Sequence, residues 1–237
     1  MTRLSPAAAA SALQWWADAG VDTLVDEEPR DWLRPNARSV APAPAPAAEP
    51  EAVLPGQLDL FRGYLQSDGA LPFASPTAPR VCPSGDPESG LMMMIDMPAA
   101  EDCAAGTLLS GAAGRLFDRM LAAIGRDRGS IYLASLSCLR SPDGRLTDPA
   151  AGQCATLARH HIGLAAPRAL LLFGDACSRA LLGLPIAQAR GRWHDVATHA
   201  GPVRAIVTLT PDYLLTQSWA KAHAWADLQM LVRELDR

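Results

Sequence analysis

Four short apolar runs, Leu91–Ile95, Ile131–Leu136, Ala169–Phe173 and Arg204–Leu209, limit what this chain can fold into more than any other feature. Each is continuous rather than alternating, the pattern of strands covered on both faces. Helical patterns lie between them. Gly114–Ile124 places Leu116, Phe117, Met120, Leu121 and Ile124 on one stripe. Pro149–Leu164 opens with Asp148 as N-cap and Pro149 at the first helical position. Asp175–Leu182, with Asp175 as its N-cap, and Ser218–Leu235 complete the set. Strand–helix alternation predicts an α/β domain over residues 89–237, a three-layer α/β/α arrangement on a four-stranded, mostly parallel sheet. Ligands of such sheets bind at the carboxyl ends of the strands. The loops to examine are therefore 96–110, 137–148, 174–175 and 210–217.

The part before this domain has a different texture. Twelve of the 20 prolines fall between Pro29 and Pro87, and Ala41–Pro50 is a Pro/Ala tract. Fixed φ and missing N–H groups favour extended polyproline II there, so residues 36–88 are expected to be a mostly disordered linker. Residues 1–35 form an N-terminal helical segment, with a helix over about 6–19 that Gly20 stops and that Trp15 and Trp16 anchor on the main domain. The net charge of −4 divides into −6 for residues 1–90 and +2 for the rest, so a basic half remains free to meet phosphates. No run of 18 apolar residues exists, which argues against a membrane span. The start of the chain lacks a secretory pattern, and the five cysteines include no CxxC. Reduced thiols and a cytoplasmic location are the expectation.

Gln57-Leu58-Asp59-Leu60-Phe61 stands out inside the linker. An apolar cluster in a polar, Pro-rich segment marks a docking site or folds back on the domain. The string resembles the peptide by which bacterial proteins bind the DNA sliding clamp, matching it at all five positions. The resemblance implies that Leu60 and Phe61 anchor in a clamp pocket while the Gln57 amide bonds at its rim. The other reading is a linker helix packed on the core through Leu58, Leu60 and Phe61. The Pro-rich setting favours clamp docking.

Several stretches of residues 91–237 are similar, in order and spacing, to the uracil-DNA glycosylase superfamily, nearest its bacterial iron–sulfur branch and alphaproteobacterial relatives. They are Gly111–Leu121, Ile131-Tyr132-Leu133, Pro167–Gly174 followed by Ala180–Gly183, Arg190-Gly191-Arg192-Trp193, and Thr210-Pro211-Asp212-Tyr213-Leu214-Leu215. The resemblance implies an enzyme that flips a base from DNA, stacks and reads it in a pocket, and stabilises the departing anion.

The motifs that carry this chemistry depart from the family pattern. Gly-Glu-Ala-Pro-Gly becomes Ile95-Asp96-Met97-Pro98-Ala99, which keeps an acid and loses both glycines. Gly-Arg-Pro-Phe, whose Phe stacks on uracil, becomes Gly106-Thr107-Leu108-Leu109. The base-reading Asn falls at Ser135 and the final His at Thr210. The resemblance thus assigns Asp96 and Thr210 to catalysis, Leu109 and Ser135 to the base pocket, and Arg190, Arg192 and His194 to DNA. An iron–sulfur cluster needs four Cys ligands. Cys138 and Cys154 keep the family spacing, but the alignment puts Leu139 at the first ligand position and the N-terminal pair is missing, so no cofactor is expected. The adjacent His160 and His161 read as surface or interface residues.

Two functions remain open. One is a clamp-recruited glycosylase acting on uracil or another damaged base. The other is a catalytically degenerate relative that binds DNA or replisome proteins, which the four lost motif positions favour.

Overall fold

The four apolar runs become the four central strands of a single sheet in the computed structural model. It describes residues 54–67, 71–75, 77–146 and 148–236, together with Ser11, Gln14 and Trp15, which are helical. Trp16, half of the expected anchor, and the Pro/Ala tract lie outside the described residues. The chain divides into two units, Met1–Ala52 and Val53–Arg237, and the fold and site belong to the second.

In chain order that unit contains α1 (Leu58–Ser67), β1 (Ser84–Gly85), β2 (Leu91–Ile95), α2 (Ala100–Ala105), α3 (Gly111–Ala123), β3 (Tyr132–Ser135), α4 (Asp148–Ala165) and β4 (Ala169–Phe173). There follow α5 (Gly174–Leu182), α6 (Ile186–Ala189), β5 (Trp193–Thr198), β6 (Gly201–Thr208), α7 (Pro211–Thr216) and α8 (Lys221–Leu235). Among the described residues the sheet has six strands in the order β1-β3-β2-β4-β6-β5. The central four are parallel, as expected. The two edges, β1 on β3 and β5 on β6, are antiparallel and extend the four-stranded expectation.

The side-chain period of two sends successive residues of each buried strand to opposite faces. Met92, Met94, Tyr132, Leu170, Leu172 and Val207 pack with Cys154, Ala158 and Ile162 of α4 and Cys177 and Leu181 of α5. Leu91, Met93, Ile95, Leu133, Leu171, Phe173 and Ile206 pack with Phe117 and Leu121 of α3 and Leu228 and Leu231 of α8. This is the three-layer α/β/α arrangement. Asp175 departs from its expected role: α5 starts at Gly174, and Asp175 lies in its first turn, accepting from the Ile186 N–H at 2.7 Å.

The linker expectation needs correction over its second half. Residues 58–67 form an amphipathic helix whose i, i+4 pair Phe61 and Leu65 is buried. Phe61 is fully buried, packed with Leu65, Leu71, Cys138 and Leu139. Its ring meets Tyr64 at 5.9 Å, His160 at 5.1 Å and His161 at 5.3 Å. The Nε2–H of His160 donates to the Pro55 carbonyl at 2.8 Å and holds the chain leading into α1. The motif folds back on the domain, through Phe61 rather than Leu60, which is 60% exposed. His161 is not at the surface either. It is buried and shares a 2.8 Å hydrogen bond with the Tyr132 hydroxyl. Burial pushes its pKa down to about 3, so it stays neutral.

Candidate active site

The loops that follow β2, β3, β4 and β6 gather at one end of the sheet, as the parallel topology requires. The β2–β3 ladder continues past the strands: Leu136 N–H donates to Ile95 O at 2.9 Å and Ser137 N–H to Asp96 O at 3.0 Å. Asp96 therefore starts its loop on a fixed backbone. Arg140 crosses to the same loop and donates to the Pro98 carbonyl at 3.0 Å. The Asp96 side chain is half-buried, and desolvation raises its pKa; the Met97 N–H, its own N–H and the Arg140 charge oppose the shift.

A buried carboxylate shapes the rest of this loop. Asp102, 2% exposed, accepts from Ala99 N–H at 3.0 Å, Ser110 N–H at 2.7 Å and Ser110 Oγ at 2.6 Å. It ties the two ends of the α2 excursion together and satisfies backbone donors that burial would orphan. Leu109 sits at φ 52° and is 5% exposed. Arg128 holds that turn, donating to Leu108 O at 2.9 Å and Leu109 O at 2.6 Å, while Asp118 pairs with its Nε at 2.6 Å. Gly114 accounts for the glycine one turn into α3. A Cβ there would stand 1.9 Å from the Leu109 carbonyl oxygen.

Ser135 ends β3 and pairs with Ile95 in the ladder. Its Oγ is buried and has no hydrogen-bond partner. Thr210 caps α7, its Oγ1 accepting from Tyr213 N–H at 3.3 Å. Its methyl faces Gly174, where φ is +83° and an added Cβ would come within 2.8 Å of Thr210 Cγ2. Asp212 lies in the first turn of α7, and its pKa is raised by burial and by the charges of Asp102, Asp96 and Glu101. The structure thus brings Asp96, Leu109, Ser135 and Thr210 to one end of the sheet. It adds Asp102, Arg128, Arg140 and Asp212, which the sequence reading did not assign. Asp212 was visible beside Thr210, but nothing in the sequence marked Asp102 or Arg128.

The three residues expected to face DNA are differently placed. Arg190 turns inward to buried Asp227, with contacts of 2.7 and 2.8 Å, and Thr208 Oγ1 donates to the same carboxylate at 2.9 Å. Its guanidinium is a structural counter-ion. Arg192 is exposed and donates to Gln188 O at 2.6 Å. His194 lies on β5 rather than in a loop. Its Nε2–H donates to Ala189 O at 2.7 Å.

Among the described residues no three His, Cys, Asp or Glu side chains converge as ligands. Burial pushes the Cys138 and Cys154 thiols up to about 11, and Cys138 donates to Leu65 O at 3.5 Å. No helix among the described residues is long and apolar enough to cross a membrane.

A doubly covered, mainly parallel sheet with its candidate chemistry on the loops after β2, β3 and β6 defines a class of α/β domains that act at the strand ends. The profile of the uracil DNA glycosylase superfamily matches residues 82–229, from just before β1 into α8. This chain belongs to that superfamily. It is also 24% identical, over 153 residues, to the type-4 uracil-DNA glycosylase of Pyrobaculum aerophilum, an alignment covering 62% of this chain and 78% of that protein.

Proposed function

We propose that this protein acts in DNA replication and repair through a glycosylase-type domain that binds DNA or a replisome protein and has lost most or all base excision. The observation that carries the reading is the state of the four motif positions. Excision replaces the bond between sugar C1′ and the base with a bond to water oxygen. The base leaves as an anion and the water gives up a proton. Asp96 would steady the sugar cation best when ionised, yet burial disfavours its carboxylate. Thr210 already uses an oxygen lone pair on Tyr213 N–H and retains one neutral O–H donor for the leaving base. Leu109 offers no aromatic face, a loss of about 1–3 kcal/mol per stacked base. A hydroxyl at Ser135 lacks the paired donor and acceptor of an amide. If each change costs about 2 kcal/mol at the transition state, together they remove on the order of 10⁶-fold in rate.

The competing reading, an active glycosylase on uracil or another damaged base, draws support from the unpartnered Ser135 hydroxyl, which a ligand could satisfy once the side chains that bury it, Phe61 and Leu65 among them, move aside. Oligonucleotides carrying uracil in single and double strands decide between the two. The proposal expects far slower abasic-site formation than an ordinary family member gives. Robust turnover that disappears in Asp96→Asn would overturn it.

Recruitment to the sliding clamp through Gln57, Leu58, Asp59, Leu60 and Phe61 belongs to the same proposal. It is supported by the five-position match and by exposed Leu60, and it carries a condition: α1 must release Phe61 before the motif can dock. Clamp pull-down with wild type and Leu60→Ala tests it, with loss of capture expected in the variant. Five free thiols, three of them buried, suit a cytoplasmic setting.

A further inference from the structure

The face of the domain formed by α3 and α8 carries a groove that the proposed function does not use. Two adjoining hollows, of ≈ 180 and ≈ 310 Å³, share Ala123 and Trp225 and run along α8 from Lys221 to Arg233. At 1.5 Å per residue this is about 18 Å, the length of a three-turn helix. The floor is apolar, built from Leu116, Met120, Ala224 and Leu228. Trp225 stands on it, 41% exposed.

Charge decides what fits. Arg119 and Lys221 line one hollow and Arg233 the other, and no carboxylate lines either. All three cations are exposed, and none has an ion-pair partner among the described residues. Three nearby acids are committed elsewhere, and Asp236, exposed beyond the end of α8, lines neither hollow. Asp118 pairs with Arg128, Asp227 with Arg190 and Glu234 with Arg204. An apolar trough with an exposed Trp and unpaired cations on its rim has the composition of a protein-binding hot spot. A phosphate backbone would gain from the three cations and nothing from the apolar floor.

We infer that the α3–α8 groove docks an acidic amphipathic helix of a partner protein, its apolar stripe seated against Trp225 and its carboxylates paired with Arg119, Lys221 and Arg233. This is helix-in-groove recognition with electrostatic complementarity. The carboxylates steer the encounter and fix the register, and the apolar stripe supplies the affinity.

The test uses the full chain and labelled synthetic helices about four turns long. One carries Leu and Trp on a single stripe with Glu elsewhere, and its counterpart carries Lys in place of Glu. A single-stranded oligonucleotide serves as third probe. The acidic helix should bind at least about tenfold tighter than the basic one. Its affinity should fall about tenfold or more in Trp225→Ala and in the pair Arg119→Glu, Lys221→Glu, and should weaken with added salt. All three residues are exposed, so the variants should keep the wild-type melting curve; if Trp225→Ala unfolds, the charge-reversal pair carries the test. Equal binding of both helices, or acidic-helix affinity unchanged by the substitutions, overturns the inference. Loss of oligonucleotide binding in the charge-reversal pair without acidic-helix binding would make this face a DNA surface. Self-association of wild type that Trp225→Ala abolishes would give the groove to a second copy. Either result also overturns it.

Discussion

Truncating Phe61 separates its structural role from docking. The ring is fully buried in the cluster with Leu65, Leu71, Cys138 and Leu139. Removing a buried Phe to Ala costs about 3–5 kcal/mol through lost transfer energy and the cavity left behind. In a unit the size of Val53–Arg237, each kcal/mol moves Tm by about 2–4 °C. Phe61→Ala should therefore lower Tm by roughly 6–20 °C. Leu60→Ala, at a position 60% exposed, should stay within about 0.5 kcal/mol of wild type. In the proposed clamp docking, the same burial would limit the affinity. Releasing Phe61 and Leu65 exposes two side chains worth about 1.5–3 kcal/mol each, so the open form holds roughly one part in 10² to 10⁴. The full chain should then bind the clamp weaker than an isolated 56–62 peptide by that factor. Differential scanning fluorimetry reads the first quantity and fluorescence anisotropy the second. An unchanged Tm in Phe61→Ala, or equal affinity of chain and peptide, would refute the reasoning.

Arg190→Ala leaves buried Asp227 without its counter-ion and should destabilise by about 3–5 kcal/mol in denaturant unfolding, with DNA affinity per folded molecule unchanged. Gly114→Ala drives a Cβ against the Leu109 carbonyl and should cost about 1–3 kcal/mol while perturbing the 108–110 turn, visible as faster amide exchange there. Asp96 has a folded-state pKa above its unfolded value, so its unfavourable contribution is absent below the unfolded pKa and grows as pH rises through the folded one. Asp96→Asn should thus raise Tm relative to wild type at neutral pH, with the gain shrinking near pH 4; a gain largest in acid would reverse the sign and refute the assignment.

The sheet was legible because strands buried on both faces leave unbroken apolar runs, and those runs are β2, β3, β4 and β6. The edge strands left no such mark. β5, Trp193-His194-Asp195-Val196-Ala197-Thr198, is half-exposed and polar enough to read as loop, and β1 has two residues. α1 was obscured by its Pro-rich neighbours, although the spacing of Phe61 and Leu65 with Asp59 in the first turn was there to be weighed. At the site, Asp96, Leu109, Ser135 and Thr210 could be named because each replaces a motif residue. The Arg190–Asp227 pair was not legible because its members lie 37 residues apart, and no local pattern announces a buried ion pair. The same holds for Arg128, whose hold on Leu108 and Leu109 spans about two-thirds of a typical βαβ unit.

The antiparallel edge bears on how the chain finds this fold in time. β5 and β6 are joined by only His199 and Ala200, with the register running from Thr198↔Gly201 to Trp193↔Ile206. A hairpin of this kind closes in about 1–10 μs, because so little chain must be ordered before the first contact. Each parallel pair must instead wait for a crossover containing a helix, a costlier closure that sets the overall rate. The half-exposed hairpin is thus the segment best able to form early. It offers β6, with Ala205, Ile206 and Val207 already extended, as the template on which β4 can dock.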